Sequence, residues 1–405
     1  MESWDEATAG LTAPLSVVDL DAFDANAADL VRRAGGTPIR VASKSLRVRS
    51  LIQAALDKPG FAGVMAYAVR EALWLARPSA GAGAGTAGAG AARAQTGDAG
   101  IEDVFVAYPT VDTAAVREIT ADPVVASRIT LTIDSMEHLD LLASAAGEHP
   151  LRVALDVDSS LRFGRGRLTA HLGVRRSYLR DPGEVASLAR AARDRGLTVV
   201  GLMFYDAQIA GLPDSSPAVR WVKRRSAEEL LVRRAAVVAA AREVTELEFV
   251  NGGGTGSLHV TGADPVVTEL AAGSGLLGPT LFDGYRSFTP SHAAAYAIPV
   301  VRRPGPGFVT GFSGGYIASG PPGRSRVPSV LHPRGLKLLR AEGAGEVQTP
   351  VHGDAANAVA LGDRIWLRHA KSGELFERFD TVHLVRGAEL VESVPTYRGE
   401  GQNFG

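Results

Sequence analysis

The chain has 405 residues, which is enough for a large hydrophobic core and two domains. Lys and Arg (43) nearly balance Asp and Glu (44), so no basic excess points to nucleic acid or an anionic membrane, and the absence of cysteine excludes disulfides, thiolate metal ligands and a cysteine nucleophile. No apolar run approaches the length of a membrane span, and residues 1–10 are acidic, unlike a signal peptide, so we expect a soluble, cytoplasmic protein.

Short apolar strands alternate with helices along the first 290 residues. A strand at residues 14–20 precedes a helix that ends near Arg33, with Asp21 as its expected cap. Eight further strands are predicted at residues 37–44, 61–67, 103–108, 128–134, 151–158, 198–206, 247–251 and 269–275. Several are followed by helices, as at residues 135–146, 182–195 and 217–243. Eight such units over roughly 250 residues predict a (β/α)8 TIM barrel of the α/β class, with a doubly wound open sheet as the alternative.

The sequence changes character near Ser291. Helical periodicity ends, and Gly and Pro separate short β-rich stretches, which predict an all-β domain with strands at residues 297–303, 307–312, 336–341, 364–368 and 381–385. We therefore predict a barrel at residues 14–290 and a C-terminal β-domain at residues 291–405, although the strand at 14–20 could belong to either. Residues 79–100 are mostly Gly and Ala, which predicts a flexible insertion in the barrel.

Lys44 stands at the end of the first barrel strand, where a turn residue would be usual. A lysine that emerges from a buried strand loses solvation, and this loss lowers the pKa of an amine toward its nucleophilic neutral form. Such a lysine suits a Schiff base with a carbonyl compound. Taken alone, Lys44 favours the interpretation as a side chain that extends from the strand end into water.

Two glycine-rich loops follow the last two barrel strands. The first is Asn251-Gly-Gly-Gly-Thr-Gly-Ser257, and the second is Ala272-Gly-Ser-Gly275. Glycines let backbone N–H groups approach an anion, and the hydroxyls of Thr255 and Ser257 add donors. In a barrel, phosphate binds after strands seven and eight, so the pair of loops predicts a phosphate site. Neither loop matches a Walker or dinucleotide motif.

Other polar residues follow strands of the predicted barrel. Tyr205 and Gln208 flank the predicted pocket and are candidates for the site. Arg162 either points inward or lies on the surface. Asp134 is expected to cap or turn into the next helix, because aspartates after strands often do so.

The residues just described resemble the fold-type III pyridoxal 5'-phosphate (PLP) enzymes, the alanine racemase superfamily. The resemblance is strongest to the D-threonine aldolase and D-serine dehydratase branch, in particular actinobacterial proteins of the amino acid deaminase/aldolase type. The resemblance implies a barrel with a C-terminal β-domain, and PLP bound to Lys44. It also implies a homodimer in which the β-domain of one subunit covers the barrel mouth of the other.

The resemblance also implies which residues bind the cofactor. Gly253-Gly-Thr-Gly256 (Gly253, Gly254, Thr255 and Gly256) and Ser274-Gly275 (Ser274 and Gly275) match the phosphate-binding loops of the family. Leu161-Arg-Phe-Gly164 matches the arginine segment of its fifth strand, which makes Arg162 a cofactor ligand. Tyr205 falls where the family has a residue beside the cofactor ring.

One motif departs from the branch. Its members bind a divalent metal through a late His-x-Cys or His-x-Asp pair, but this chain reads Arg368-His-Ala-Lys371. Protonated lysine is no metal ligand, so a metal is doubtful and His369 is the remaining candidate ligand, with Glu374 or Asp354 as possible replacements for the missing oxygen. The alternative is that His369 or Lys371 acts directly on the substrate.

The sequence leaves three functions open. The first is a PLP-dependent lyase that cleaves or dehydrates a β-hydroxy amino acid, expected to be D-configured, through Lys44 with Tyr205, His369 and Lys371 as further catalytic residues. The second is a racemase, which needs a second base such as Tyr316. The third is a non-enzymatic PLP-binding protein, although such proteins in this superfamily consist of the barrel alone. The identity of the amino acid substrate does not follow from the sequence.

Overall fold

The structure is a computed structural model that describes residues 2–78, 100–164 and 169–405. The predicted insertion at 79–100 lies, except for its last residue, outside the described residues, so its flexibility stays a prediction. Within the described ranges, no helix combines the length and apolar character needed to cross a membrane.

The helices and strands of the described residues alternate through the first two thirds of the chain. The helices are α1 (Glu2–Ala7), α2 (Leu20–Ala34), α3 (Arg49–Leu56), α4 (Val69–Ala76), α5 (Thr113–Thr120), α6 (Pro123–Arg128), α7 (Met136–Ala145), α8 (Pro182–Asp194), α9 (Ala207–Ala210), α10 (Pro217–Arg242), α11 (Leu258–Thr261) and α12 (Ser274–Leu277). The strands are β1 (Leu15–Asp19), β2 (Ile39–Ala42), β3 (Phe61–Ala66), β4 (Val104–Val106), β5 (Ile129–Ile133), β6 (Arg152–Asp156), β7 (Leu161–Phe163), β8 (Ala170–Leu172), β9 (Thr198–Phe204), β10 (Phe249–Gly252), β11 (Glu269–Ala272), β12 (Ala294–Gly305), β13 (Phe308–Phe312), β14 (Ser329–His332), β15 (Lys337–Leu338), β16 (Gln348–His352), β17 (Arg364–Arg368), β18 (Thr381–Arg386) and β19 (Glu389–Pro395).

Eight parallel strands close into a barrel. Their order is β2-β3-β4-β5-β6-β9-β10-β11, and β11 pairs with β2 to complete the circle. This barrel lies in a compact unit formed by residues 31–44, 53–272 and 404–405. The predicted (β/α)8 barrel is confirmed, and each predicted strand from Ile39 onward corresponds to one barrel strand.

The interior of the barrel is apolar in the middle and polar toward the carboxyl ends of the strands. Phe105, Ala154, Met203 and Phe249, from four different strands, pack together there. Because side chains alternate along a strand, the residue two positions after each faces the same way. Asp156 lies two positions after Ala154 and therefore faces the barrel interior. It stands at the end of β6 in register with Met203. The carboxyl end of the barrel therefore presents ionisable side chains, as in barrel enzymes generally.

The second compact unit comprises residues 1–30, 45–52 and 273–403. Its sheet has the order β15-β16-β13-β12-β1-β18-β19, with β17 paired to β12 and β14. The strand β1, which the sequence could assign to either domain, pairs with β12 and β18 in this sheet. The rings of Trp4 and Trp366 pack edge to face in its core, with their centroids 5.5 Å apart.

The predicted cap of α2 was wrong. The carboxylate of Asp19, not Asp21, accepts the backbone N–H of Ala22 at 3.0 Å, and its other oxygen accepts the indole N–H of Trp4 at 3.0 Å. The helix begins one residue after Asp19, so this residue has the position that suits an N-cap.

Candidate active site

Lys44 lies in a single helical turn directly after β2. The hydroxyl of the preceding Ser43 donates to the carbonyl of Met65 at 3.0 Å, which attaches this turn to the neighbouring strand β3. The ammonium group of Lys44 donates to the phenol of Tyr108 at 3.2 Å. The Lys44 side chain is exposed, so the loss of solvation expected from the sequence is not found.

Arg176 lies against Tyr108 and Tyr205 at this end of the barrel. Its guanidinium carbon is 5.4 Å from the ring centroid of Tyr108 and 4.8 Å from that of Tyr205. Burial alone would raise the pKa of Tyr108, but the positive charges of Lys44 and Arg176 hold it below its usual value. Burial raises the pKa of Tyr205. These two phenols thus differ in acidity, since the pKa of Tyr108 is lowered and that of Tyr205 is raised.

Arg176 was missed at the sequence level. It lies in an irregular segment after the β7–β8 hairpin, where neither periodicity nor a strand end draws attention to it. The predicted arginine, Arg162, lies on β7 instead and donates to the carboxylate of Asp158 at 2.5 Å. Burial by itself would raise the pKa of Asp158, but hydrogen bonds from Ser160 and Arg162 lower it. Contact between Arg162 and the cofactor stays a prediction.

Asp134 and Asp156 add two acidic groups at the ends of β5 and β6. The expected capping role of Asp134 was wrong, because Ser135 caps α7 and the Asp134 carboxylate instead pairs with His138 at 2.9 Å. Asp156 is buried, and this burial together with the nearby charge of Asp134 raises its pKa to about 7. A carboxyl group with such a pKa can hold or release a proton at neutral pH.

The first glycine-rich loop forms a tight turn at the end of β10. Gly253 has a positive φ of 76°, which favours glycine. The N–H of Gly254 donates to the hydroxyl of Ser257 at 3.1 Å, and the N–H of Ser257 donates back to the carbonyl of Gly254 at 2.9 Å. The buried N–H groups of Gly253 and Gly256 donate to no acceptor among the residues that the structure describes. Unpaired buried N–H groups are rare, so this loop has the donors that an anion needs.

The Ser257 hydroxyl differs from its expected role, and the expected role of the Thr255 hydroxyl stays a prediction. The Ser257 hydroxyl donates to the carboxylate of Asp206 at 3.0 Å, so this proton is directed away from any anion at the front of the loop. Thr255 is buried, and its carbonyl accepts the guanidinium of Arg33 at 2.7 Å. These two contacts attach the loop to the strand end of β9 and to α2.

The predicted site residues Ser274, Gly275, His369 and Lys371 belong to the β-sheet unit. Ser274 and Gly275 open α12, and the carbonyl of Ser274 accepts the hydroxyl of Ser372 at 3.1 Å. The Nε2 atom of His369 lies 3.3 Å from the same hydroxyl. Burial lowers the pKa of His369 to about 3, so this imidazole is neutral at physiological pH. Whether these residues act together with Lys44 and Tyr205 stays a prediction.

Lys371 is partly exposed. Its ammonium group donates to the carbonyl of Ser319 at 3.3 Å and to its hydroxyl at 3.2 Å. Its expected role, contact with the substrate, stays a prediction.

Comparison with protein families identifies the barrel. The model of the alanine racemase N-terminal domain matches residues 18–278, which is more than half of the chain. The chain belongs to this family. The resemblance to the alanine racemase superfamily that the sequence motifs indicate is therefore confirmed.

Individual relatives share low sequence identity with this chain. The 3-hydroxy-D-aspartate aldolase of Paracoccus denitrificans (strain Pd 1222) is 26% identical over 175 residues, which cover 43% of this chain and 42% of that protein. The match thus spans less than half of the curated relative. The D-threonine aldolase of Filomicrobium marinum superposes with a TM-score of 0.72 at 22% identity, over 96% of this chain and 95% of that one. For the D-threo-3-hydroxyaspartate dehydratase of Delftia sp. HT23 the TM-score is 0.68 at 18% identity, over 95% and 97%. These superpositions establish a common fold.

Proposed function

We propose that the protein is a PLP-dependent lyase that cleaves or dehydrates a β-hydroxy amino acid of D configuration. The observation that carries the proposal is the pair formed by the Lys44 amine and a glycine loop with unpaired N–H groups, both at the carboxyl end of one barrel. The names of the three relatives, two aldolases and a dehydratase of hydroxy amino acids, support the reaction class.

The residues of the barrel fit PLP. Lys44 supplies an exposed amine for the aldehyde, and the buried N–H groups of Gly253 and Gly256 supply donors for the phosphate. When bound, PLP provides an electron sink for the bonds at the α-carbon of an amino acid.

Side chains of the barrel can transfer protons at the site. Tyr108 contacts the Lys44 amine and has a lowered pKa, so it can exchange a proton with that amine. Arg176 adds a positive charge beside both tyrosines, which favours a carboxylate at this position. Asp156 is a second group that can hold or release a proton near neutral pH.

A metal does not fit the donor set. Among the residues that the structure describes, no three His, Cys, Asp or Glu side chains are grouped so that they could hold a metal ion. At the second ligand position of the resembled branch, Lys371 presents an ammonium group that already donates to Ser319. We therefore propose a site that works without a divalent metal, in which His369 and Lys371 meet the substrate directly.

The racemase alternative has less support. The phenol of Tyr316 lies 2.9 Å from the hydroxyl of Ser313, and its ring packs against Tyr296 and Phe379. No observation favours it as a base. The β-sheet unit counts against a PLP-binding protein without catalysis, because such proteins in the superfamily consist of the barrel alone.

Assembly and location rest on the family resemblance. We infer a cytoplasmic homodimer in which the β-domain of one subunit covers the barrel mouth of its partner. Neither nucleic acid nor a membrane is proposed as a partner, because the charge is balanced.

The test combines labelling with product analysis. Protein loaded with PLP is reduced with borohydride and digested, and we expect the label on the peptide that contains Lys44. The Lys44→Arg variant should lose the label, and the matched variant Lys337→Arg should keep it. D- and L-β-hydroxy amino acids are then supplied with and without EDTA, and aldehyde and 2-oxo acid products are separated. A label on Lys371, or activity that EDTA removes and Mn²⁺ restores, would contradict the proposal.

A further inference from the structure

The carboxyl group of Asp206 lies behind the glycine-rich loop and is completely buried. Asp206 is the second residue after β9 and occupies the position of an N-cap for α9, but its side chain makes no capping hydrogen bond. Its two oxygens turn instead to the next loop. One accepts the hydroxyl of Ser257 at 3.0 Å and the other accepts the hydroxyl of Thr261 at 2.6 Å.

We propose that Asp206 is a positioning residue that sets the affinity of the glycine-rich loop for phosphate, acting through the Ser257 hydroxyl. The proposal rests on the proposed cofactor, because PLP is the phosphate compound that the loop would hold.

The proton of Ser257 determines how the loop is arranged. Because this hydroxyl donates to Asp206, only its lone pairs face the loop, and they accept the N–H of Gly254 at 3.1 Å. The N–H of Gly254 is thereby held at the back of the loop, while those of Gly253 and Gly256 remain without an acceptor among the described residues. Asp206 thus determines which amides are available to an anion.

Without Asp206 the hydroxyl has two other acceptors nearby, of which the Thr261 oxygen lies at 3.3 Å. The carbonyl of Gly254 lies 3.5 Å from the Ser257 oxygen. That carbonyl already accepts the N–H of Ser257 at 2.9 Å, so a rotated hydroxyl would compete with the hydrogen bond that closes the turn. The loop would then sample other arrangements, and the free-energy cost of ordering it on binding would weaken its affinity for phosphate.

A charged group behind an anion site would ordinarily be unfavourable. Burial raises the pKa of Asp206, while the positive charge of Arg234 and the two hydroxyl donors oppose this shift. Arg234 is itself paired with Asp264 at 2.5 Å, and its guanidinium lies 5.2 Å from the ring centroid of Phe204. The function of Asp206 therefore depends on hydrogen-bond geometry, and an amide of the same shape should replace it.

Four variants separate this role from a structural one. Asp206→Ala and Ser257→Ala both break the link, and each should weaken PLP binding about tenfold, the size expected for one buried hydrogen bond. Asp206→Asn keeps an acceptor for Ser257 and should retain most of the affinity. Thr261→Val is the matched control, because it removes the other hydrogen bond of Asp206 and the 3.3 Å contact between the Thr261 and Ser257 hydroxyls, but it keeps the hydrogen bond from Ser257 to Asp206.

The measurement is a spectroscopic titration of PLP-free protein with PLP and with pyridoxal, which has no phosphate. We expect weaker binding of PLP but unchanged binding of pyridoxal. The double variant of Asp206 and Ser257 should bind PLP no more weakly than either single variant. Unchanged PLP affinity in Ser257→Ala, or equal weakening of the binding of both compounds, would overturn the proposal. These two results can be obtained even if Asp206→Ala does not fold.

A parent protein that binds no PLP would refute the proposed function instead. Inorganic phosphate then serves as the probe, and its binding by the parent but not by Ser257→Ala would still support the role of Asp206. Equal phosphate binding by the two proteins, or none by either, would refute it.

Discussion

Tyr108 and Tyr205 illustrate how neighbours give one residue type two chemistries. Both rings contact the guanidinium of Arg176, but only Tyr108 also accepts a hydrogen bond from Lys44. The pKa of Tyr108 is lowered by these two charges, whereas burial raises that of Tyr205. Tyr108 is therefore the phenol suited to proton transfer, and Tyr205 is suited to packing and hydrogen-bond donation.

His369 gives a prediction about pH and stability. Its pKa is about 3 in the folded protein because of burial, compared with the ordinary value of 6.5. Between these values the unfolded chain binds a proton that the folded chain does not. The free energy of unfolding should therefore fall as the pH is lowered from about 6.5 to about 3, by at most about 1.4 kcal/mol per pH unit.

The variant His369→Gln should have a flatter slope, measured by urea unfolding at several pH values. Ser372→Ala is the matched control, since it removes the neighbouring hydroxyl but keeps the buried imidazole and hence the slope. Equal slopes for His369→Gln and the parent would contradict the prediction.

Regular elements were predictable from the sequence, and irregular ones were not. The barrel strands are continuous apolar runs because both of their faces are buried, so periodicity and length identify them. The β7–β8 hairpin has three residues in each strand and a mixed burial pattern, and it was missed. The strands β14, β16 and β19 were missed as well, because their half-exposed patterns lack a continuous apolar run.

The same contrast applies to the candidate site. Lys44 and the glycine loop were found because a strand end followed by an unusual residue is visible in the sequence. Arg176 and Asp206 acquire their roles from contacts with residues far along the chain, such as Tyr108 and Ser257. Pairings of this kind leave no local pattern.

The glycine-rich loop leads to a prediction for Gly254→Asp. The new side chain would add a negative charge to the loop that is proposed to bind the phosphate, and two unit charges 4 Å apart repel by about 4 kcal/mol at an effective dielectric of 20. The new Cβ would lie 3.0 Å from that of Ala210, which requires only a small adjustment. We expect PLP affinity to fall at least about a hundredfold with the fold retained.

Gly183→Asp is the matched control for this variant. It makes the same substitution in α8, where a Cβ meets nothing within 4 Å. PLP titration and circular dichroism of both variants provide the measurement. Parental affinity in Gly254→Asp would mean that the loop is only a turn.

The whole molecule divides its candidate residues between two compact units. Lys44, Tyr205 and the first glycine loop belong to the barrel unit, whereas Ser274, His369 and Lys371 belong to the β-sheet unit. The units are interleaved in sequence, since residues 1–30 and 45–52 join the β-sheet unit. Composition cannot reveal such interleaving, because it shows only where the residue types and their periodicity change along the chain.

The proposed homodimer predicts that inactive variants complement each other. If the β-domain of one subunit completes the barrel site of its partner, a Lys44→Ala chain still offers an intact β-domain, and a Lys371→Ala chain still offers an intact barrel. In a random mixture about half of the dimers are mixed, and one of their two sites is intact, so about a quarter of the parental activity should return.

Each variant is purified alone and should have little activity, and the two are then co-expressed and assayed. The control is Lys44→Ala co-expressed with the double variant Lys44→Ala/Lys371→Ala, which contains no intact barrel and should stay inactive. Sedimentation establishes whether dimers form. Because complementation requires residues of two chains at one site, a mixture no more active than its components would mean that each subunit builds its site alone, and a monomeric parent would exclude the shared site altogether.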